Sequence, residues 1–304
     1  MRAAAAALDI GVVVTAFQAG PFLDLALSGV AHQTLPPRQV VVVDDASTDD
    51  TAAVARAWSD RLPIRVIINA VNLGIGGGRA VGVAALDTDY VAVLDADDLW
   101  LPEHLAVVSG LLGPRRIVSP LYQVWDDGRG LAGPMGPARR RRRAERAANQ
   151  LPLLLRENFT VAGQAYSREL YDIAGGYSAT RFAEDLELGV RLSVAGGRFV
   201  FPDAPTVLYR RHAGAISTGS SATERGMVEC LDRIATAVPP AMQRHVDHAR
   251  RAAEARILLH REREEPARSM PERFRLLEPA LRRAPLRQKA SAALRIVRPP
   301  RRSG

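Results

Sequence analysis

Cysteine and lysine are almost missing from this sequence: Cys230 and Lys289 are the single representatives of each in 304 residues. One thiol excludes an internal disulfide framework and any zinc site built from cysteines, and leaves Cys230 to read as a small buried hydrophobe. Long apolar runs are missing too. No stretch approaches the roughly 20 residues that cross a bilayer, and the opening MRAAAAALDI is too short for the apolar core of a secretory signal before it runs into GVVVTAF. The expectation is a cytoplasmic protein. With 47% hydrophobic and 24% charged residues, the remainder is ordinary for a globular chain able to bury a substantial core.

The net charge of +8 is unevenly spread. From Arg244 to the end there are 17 basic and 7 acidic residues, a charge of +10, which leaves −2 for everything before. Basicity is therefore a property of the tail and of one further run, ARRRRRAER at 138–146. Two readings compete: solvated helices and loop, or contact with an anionic lipid surface at the inner face of the plasma membrane, worth about 1 kcal/mol per basic residue. A nucleic-acid binder built on the tail would leave a set of acids elsewhere without a task, so no nucleic-acid partner is expected.

Residues 10–120 alternate short β-branched runs with amphipathic stretches, the pattern of βαβ units and an α/β fold with a mainly parallel, Rossmann-like sheet flanked by helices. The strand candidates are GVVVTAF (11–17), QVVVVDD (39–45), IRVIIN (64–69) and YVAVLD (90–95). Ligands of such sheets sit beyond the carboxyl ends of the strands. Those ends are polar here: Thr15, then Asp44 and Asp45, then Asn69 and Asn72, then Asp95 and Asp97. Further on, RIVSPLYQVWDDG reads as another strand, a helix is expected over about 184–195, RFVF and TVLYR are short strands, and the last 80 residues read as helices.

Each polar cluster admits a bland and a chemical reading. In LDADDLW, Asp95 and Asp97 fall on one side of an extended chain, where two carboxylates and a substrate phosphate suit Mg²⁺ or Mn²⁺; the alternative is a cap for a helix near Pro102. In VVVVDDASTDD, Ser47, Thr48 and Asp49 are helix-cap residues, but a cap leaves the tandem Asp44 and Asp45 unexplained. Thr15 and Phe17 offer a hydroxyl and a stacking face. The run NLGIGGGRA (72–80) imitates a dinucleotide fingerprint yet has Arg79 at its sixth position, so it reads instead as a helix start suited to a diphosphate. Glu184 and Asp185 open a helix, stabilised by its dipole or serving as a general base. His212 follows a strand and is a metal ligand, a phosphate contact or merely structural.

Taken in order, TAFQ, Gln33-Thr34, VVVVDDASTD, NLGIGGGRA, LDADDLWLP, the Gly175-Gly176 turn, AEDLELGVRL and YRRH resemble the family 2 glycosyltransferases, over about Gly11 to Ser217. The resemblance implies a GT-A fold over 1–220, with a nucleotide-binding half at about 9–115 and an acceptor half at about 116–220, followed by a basic helical extension over 221–304. It further implies Asp97 and His212 at a Mn²⁺ or Mg²⁺ ion. Thr15, Phe17, Asp44, Arg79, Asp95 and Trp100 fall around a nucleoside-diphosphate sugar, with Asp45 in support. Asp185 matches the catalytic base and Glu184 its neighbour. The implied reaction is an inverting transfer to a sugar, lipid-linked or small-molecule acceptor, in cell-envelope polysaccharide, glycolipid or secondary-metabolite glycosylation; the alternatives are a nucleotidyltransferase or a non-catalytic nucleotide-sugar binder. Ala80, Gln18 and Ser178 depart from the family's usual Asn, Asn and acid. Trp125, Phe159, Tyr166 and Tyr177 are expected to face the acceptor.

Overall fold

The computed structural model describes residues 8–127, 129–131, 138–160, 163–212, 220–264, 270–283 and 285. The AGAIS segment after His212 and the arginine-rich end from 286 lie outside them. Two compact units form, Met1–Ala213 and Gly214–Gly304.

The first unit begins β1 (Ile10–Ala16), α1 (Gly20–Ala31), β2 (Gln39–Asp44), α2 (Thr51–Arg56), β3 (Ile64–Ile68), α3 (Gly74–Ala84) and β4 (Tyr90–Asp95). Strands β3, β2, β1 and β4 lie side by side and parallel. The Val-rich runs of β1, β2 and β4 are buried along nearly their whole length, as strands covered on both faces must be. β3 alternates at the sheet edge and leaves Ile68 exposed.

The chain then departs from simple alternation. A two-residue β5 (Leu99–Trp100) precedes α4 (His104–Leu111), so the acids of LDADDLW cap no helix. RIVSPLYQVWDDG divides at Ser119-Pro120 into β6 (Arg116–Val118) and β7 (Leu121–Asp126), which enter different sheets. After β8 (Gly130–Leu131) come α5 (Ala138–Arg146), α6 (Leu151–Glu157), β9 (Ala165–Ser167), α7 (Arg168–Ile173), α8 (Glu184–Val194), β10 (Arg198–Val200) and β11 (Pro205–Arg211). The main sheet runs β10-β6-β9-β4-β1-β2-β3, with β9 antiparallel to both neighbours. A second sheet, β5-β11-β7-β8, pairs β11 parallel to β7 and antiparallel to β5.

The arginine run forms a helix that is partly neutralised at home. Arg141 pairs with Glu145 at 2.8 Å, Arg143 with Glu157 at 2.5 Å, and Arg140 donates to the Glu157 carbonyl. In the second unit, α9 (Ser221–Ala237) buries Cys230 with Leu231 and Ile234. It pairs with α10 (Gln243–Glu264) through Arg256–Glu224 and Arg250–Asp232, and α11 (Met270–Arg283) follows. Among the described residues no helix is long and apolar enough to cross a membrane.

Candidate active site

The sheet register sets the site. Thr15 lies beside Asp95 on one flank and Val43 on the other, while Ala16 lies beside Asp44. Phe17, Asp45, Asn69 and Asp97 therefore leave the sheet at one edge. The two loops that follow are sewn together by the residues expected to cap α2. Ser47 accepts from the Gln18 N–H, the Thr48 N–H donates to Gln18 Oε1, and Asp49 accepts from the Gly20 N–H. Gln18, Ala46 and Ala183 hold positive φ of 51°, 64° and 57°, a costly conformation that directly follows Asp45 at Ala46 and directly precedes Glu184 at Ala183.

Of the predicted donor contacts, Thr15 has an enclosed hydroxyl without a hydrogen-bond partner among the described residues, and Phe17 is 55% exposed. Phe17 is open to a ligand, while the Thr15 hydroxyl keeps an unused hydrogen-bonding capacity beneath the surface. Asp44 is buried and takes the Ser47 N–H on one oxygen. Asp45 belongs to the scaffold: Oδ1 accepts from Asn69 Nδ2 and the Leu73 N–H, and Oδ2 from the Gly74 N–H, at 2.7 to 2.9 Å.

Trp100 is a correction. Its ring is 2% exposed, lies in the hydrophobic core and stacks on His104 at 4.1 Å, so it has no face to offer a donor. Burial presses His104 down to about 3, which keeps it a neutral partner for the Thr206 hydroxyl. Phe159 and Tyr166 are likewise core residues, the former against Phe199 and Phe201. Apolar aromatic positions carry no mark in sequence that separates core from lining.

Arg79 is also placed differently from a diphosphate contact. It projects from α3 into the interior, 1% exposed, and bridges Asp95 at 2.5 Å and Glu184 at 2.6 Å over the ring of Tyr177. Burial opposes its charge, but Asp95 and Glu184 outweigh that and raise the guanidinium above its ordinary range. This bridge brings together Asp95, at the end of β4, and the acids that open α8. Burial pushes Glu184 up to about 7, with Arg79 pulling the other way. Burial likewise raises the Asp185 carboxyl, against Arg79 and the N–H of Leu186. Gln164, missed in the sequence, donates to the Asp185 carbonyl and accepts from the Val93 N–H, a second link between β4 and α8.

On the other side of Asp95, burial and then the Asp95 charge raise the Asp97 carboxyl, while a hydrogen bond from His212 pulls it down. His212 Nε2 stands 3.1 Å from Asp97 Oδ2. Asp98, raised well above its usual range by burial and by Asp95 and Asp97, accepts from the Arg210 N–H and so ties the LDADDLW turn to β11 just before His212. Arg210 is packed between Trp125 and Phe22, and Phe22 also touches the His212 ring. Among the described residues no three His, Cys, Asp or Glu side chains are grouped to hold a metal. The Asp97–His212 pair nevertheless fits a hard cation, since adjacent ligands about 2.1 Å from an ion stand about 3 Å apart and the remaining positions can be filled by water and phosphate oxygens.

Comparison with known proteins agrees with this geometry. The sequence model described as "Glycosyl transferase family 2" matches residues 11–173, more than half of the chain. The succinoglycan biosynthesis protein ExoW of Rhizobium meliloti is 39% identical over 101 residues, 31% of this chain and 31% of that relative's length. The TarS fragment 1-349 of S. aureus, solved in complex with UDP-GlcNAc, superposes with a TM-score of 0.64 over 93% of this chain and 83% of its own, at 17% identity. The mannosyltransferase PcManGT of Pyrobaculum calidifontis, solved with GDP-Man and Mn2+, gives 0.59 over 96% and 81%, at 21% identity. With the strand-end acids, the Arg79 bridge and the paired sheets in the same molecule, this chain belongs to glycosyl transferase family 2 and has the GT-A fold.

Proposed function

We propose that the chain is a metal-dependent inverting glycosyltransferase that moves a sugar from a nucleoside-diphosphate donor to an acceptor hydroxyl. The observation that carries this reading is the Arg79 bridge, which ties a donor-side carboxylate, Asp95, to the residue next to the proposed base, Asp185. Thr15, Phe17 and Asp44 line the nucleoside end, and residues of about 116–220 face the acceptor, a sugar, lipid-linked or small molecule. The neighbours solved with UDP-GlcNAc and with GDP-Man and Mn2+ support a nucleotide sugar as donor.

Asp185 takes the proton of the acceptor hydroxyl as its oxygen attacks the anomeric carbon. The bond from that carbon to the diphosphate oxygen breaks, its electron pair leaves with the diphosphate, and configuration inverts. A carboxyl held above its ordinary range is a better proton acceptor near neutrality than a free aspartate. Asp97 and His212 would hold Mn²⁺ or Mg²⁺, which supplies charge stabilisation to the departing diphosphate. Asp98 and Arg210 keep that pair in register.

The reaction belongs to envelope polysaccharide, glycolipid or secondary-metabolite assembly on the cytoplasmic side. Contact with anionic lipid falls to exposed Arg142 and Arg146 and to the tail; liposome co-sedimentation at low and high salt tests it. A panel of nucleotide sugars assayed for Mn²⁺-dependent release of nucleoside diphosphate tests the main reading. Release that no donor supports, with or without acceptors, would overturn it.

A further inference from the structure

The glycine run Gly74 to Gly78 has the look of a phosphate cradle, but the N–H groups of Gly74 and Gly76, and that of Leu73 just before them, are already engaged. Those of Leu73 and Gly74 go to Asp45, and that of Gly76 donates to the Thr180 carbonyl at 2.9 Å. The backbone of residues 178–180 lies directly on the start of α3. A Cβ on Gly76 would fall 2.2 Å from the Ser178 carbonyl oxygen, and one on Gly74, already at φ +77°, 2.9 Å from that of Thr180. Glycine is needed there because another backbone occupies the space a side chain would fill.

The segment seated on these glycines leads straight into the proposed base. Ser178 is pinned at its near end, its hydroxyl 2.6 Å from Glu187 and 3.3 Å from Arg191. At the far end Ala183 turns in the left-handed region and Glu184 meets Arg79, which comes from the same helix α3. One short helix thus contacts Asp45 at its start, Thr180 through Gly76, and both Asp95 and Glu184 through Arg79.

We propose that Gly76, with Gly74, is a positioning residue: it seats residues 178–181 on α3 and thereby fixes Asp185 at its distance from the donor-side carboxylates, rather than binding phosphate. The kinetic part of this inference rests on the reading of Asp185 as the base; the seating itself does not.

Three variants test it: Gly76→Ala; Ser178→Ala, which cuts the other anchor without adding bulk; and Gly110→Ala in α4, whose Cβ would meet nothing. Hydrogen exchange is followed at the amides of 184–188 and of 91–95. Gly76→Ala and Ser178→Ala are expected to speed exchange at least about tenfold in the first group and leave the second as in the wild type, with Gly110→Ala changing neither. With the donor found in the panel, kcat falls about ten- to a hundredfold while KM for the donor and Mn²⁺-dependent affinity for UDP or GDP stay within about threefold. A phosphate cradle predicts the reverse, weakened UDP or GDP binding with exchange at 184–188 unchanged, and that result would overturn the proposal. Unchanged exchange in Ser178→Ala would do the same if Gly76→Ala does not fold. Transfer missing in the wild type itself, with the exchange pattern as expected, would count against the catalytic reading alone.

Discussion

Two parallel strands of this sheet end in clustered acids, and the two clusters meet opposite fates. At the end of β2, Asp45 takes three hydrogen bonds from Asn69, Leu73 and Gly74, and Asp44 takes one from Ser47. At the end of β4, Asp95, Asp97 and Asp98 crowd one another, and burial and mutual repulsion raise the carboxyls of Asp97 and Asp98. A carboxylate surrounded by backbone donors is a structural part, because removing it strands those donors. Carboxylates that raise one another form a site awaiting positive charge.

The largest test of this contrast lies on α8. Asp185→Asn is expected to lower kcat by at least about a hundredfold with donor affinity retained, since general-base catalysis contributes about 10²- to 10⁴-fold; steady-state kinetics with calorimetry of nucleotide binding measure both. At the β4 end, Asp97→Ala is expected to abolish the difference in UDP or GDP affinity with and without Mn²⁺, read by titration calorimetry, at no cost in thermal stability. An Asp97→Ala protein that melts well below the wild type would erase the distinction between the two clusters.

At the β2 end the order reverses. Asp45→Ala should cost about 2–4 kcal/mol in denaturant unfolding, from the Asn69 amide and the Leu73 N–H left without acceptors and the Gly74 N–H left with Asn72 alone. The smallest effect is a pH dependence. A carboxyl held high in the folded protein keeps its proton there after the unfolded chain has lost its own. Its contribution is therefore full below about pH 4.5 and is lost as pH rises through about 7 for Glu184. Unfolding free energy between pH 5 and 7.5 is expected to fall by about 1–3 kcal/mol, and by less in Glu184→Gln.

The parallel core was legible because buried β-branched runs announce themselves, and β1 to β4 stand within two residues of the stretches read from sequence. The division at Ser119-Pro120 was marked by proline, but nothing local told that β6 and β7 join different sheets. The acids were legible as a group and not individually, because what separates Asp45 from Asp97 is supplied by residues 69–74 and 212, remote in sequence. The glycine run's packing was hidden for the same reason: its partner, the backbone of 178–180, lies about a hundred positions further on. Trp100, Phe159 and Tyr166 were misjudged because size and aromaticity serve a core and a sugar platform equally well.

The guanidinium that spans Asp95 and Glu184 binds two acids from distant parts of the chain to one buried cation, so the interior there holds its charges as a single unit. Without it, the two acids would face each other in the interior with no positive partner. Positions 79, 95 and 184, the first and last separated by 105 residues, are therefore under joint constraint: a neutral replacement at 79 is tolerable only alongside a neutral replacement at one of its partners.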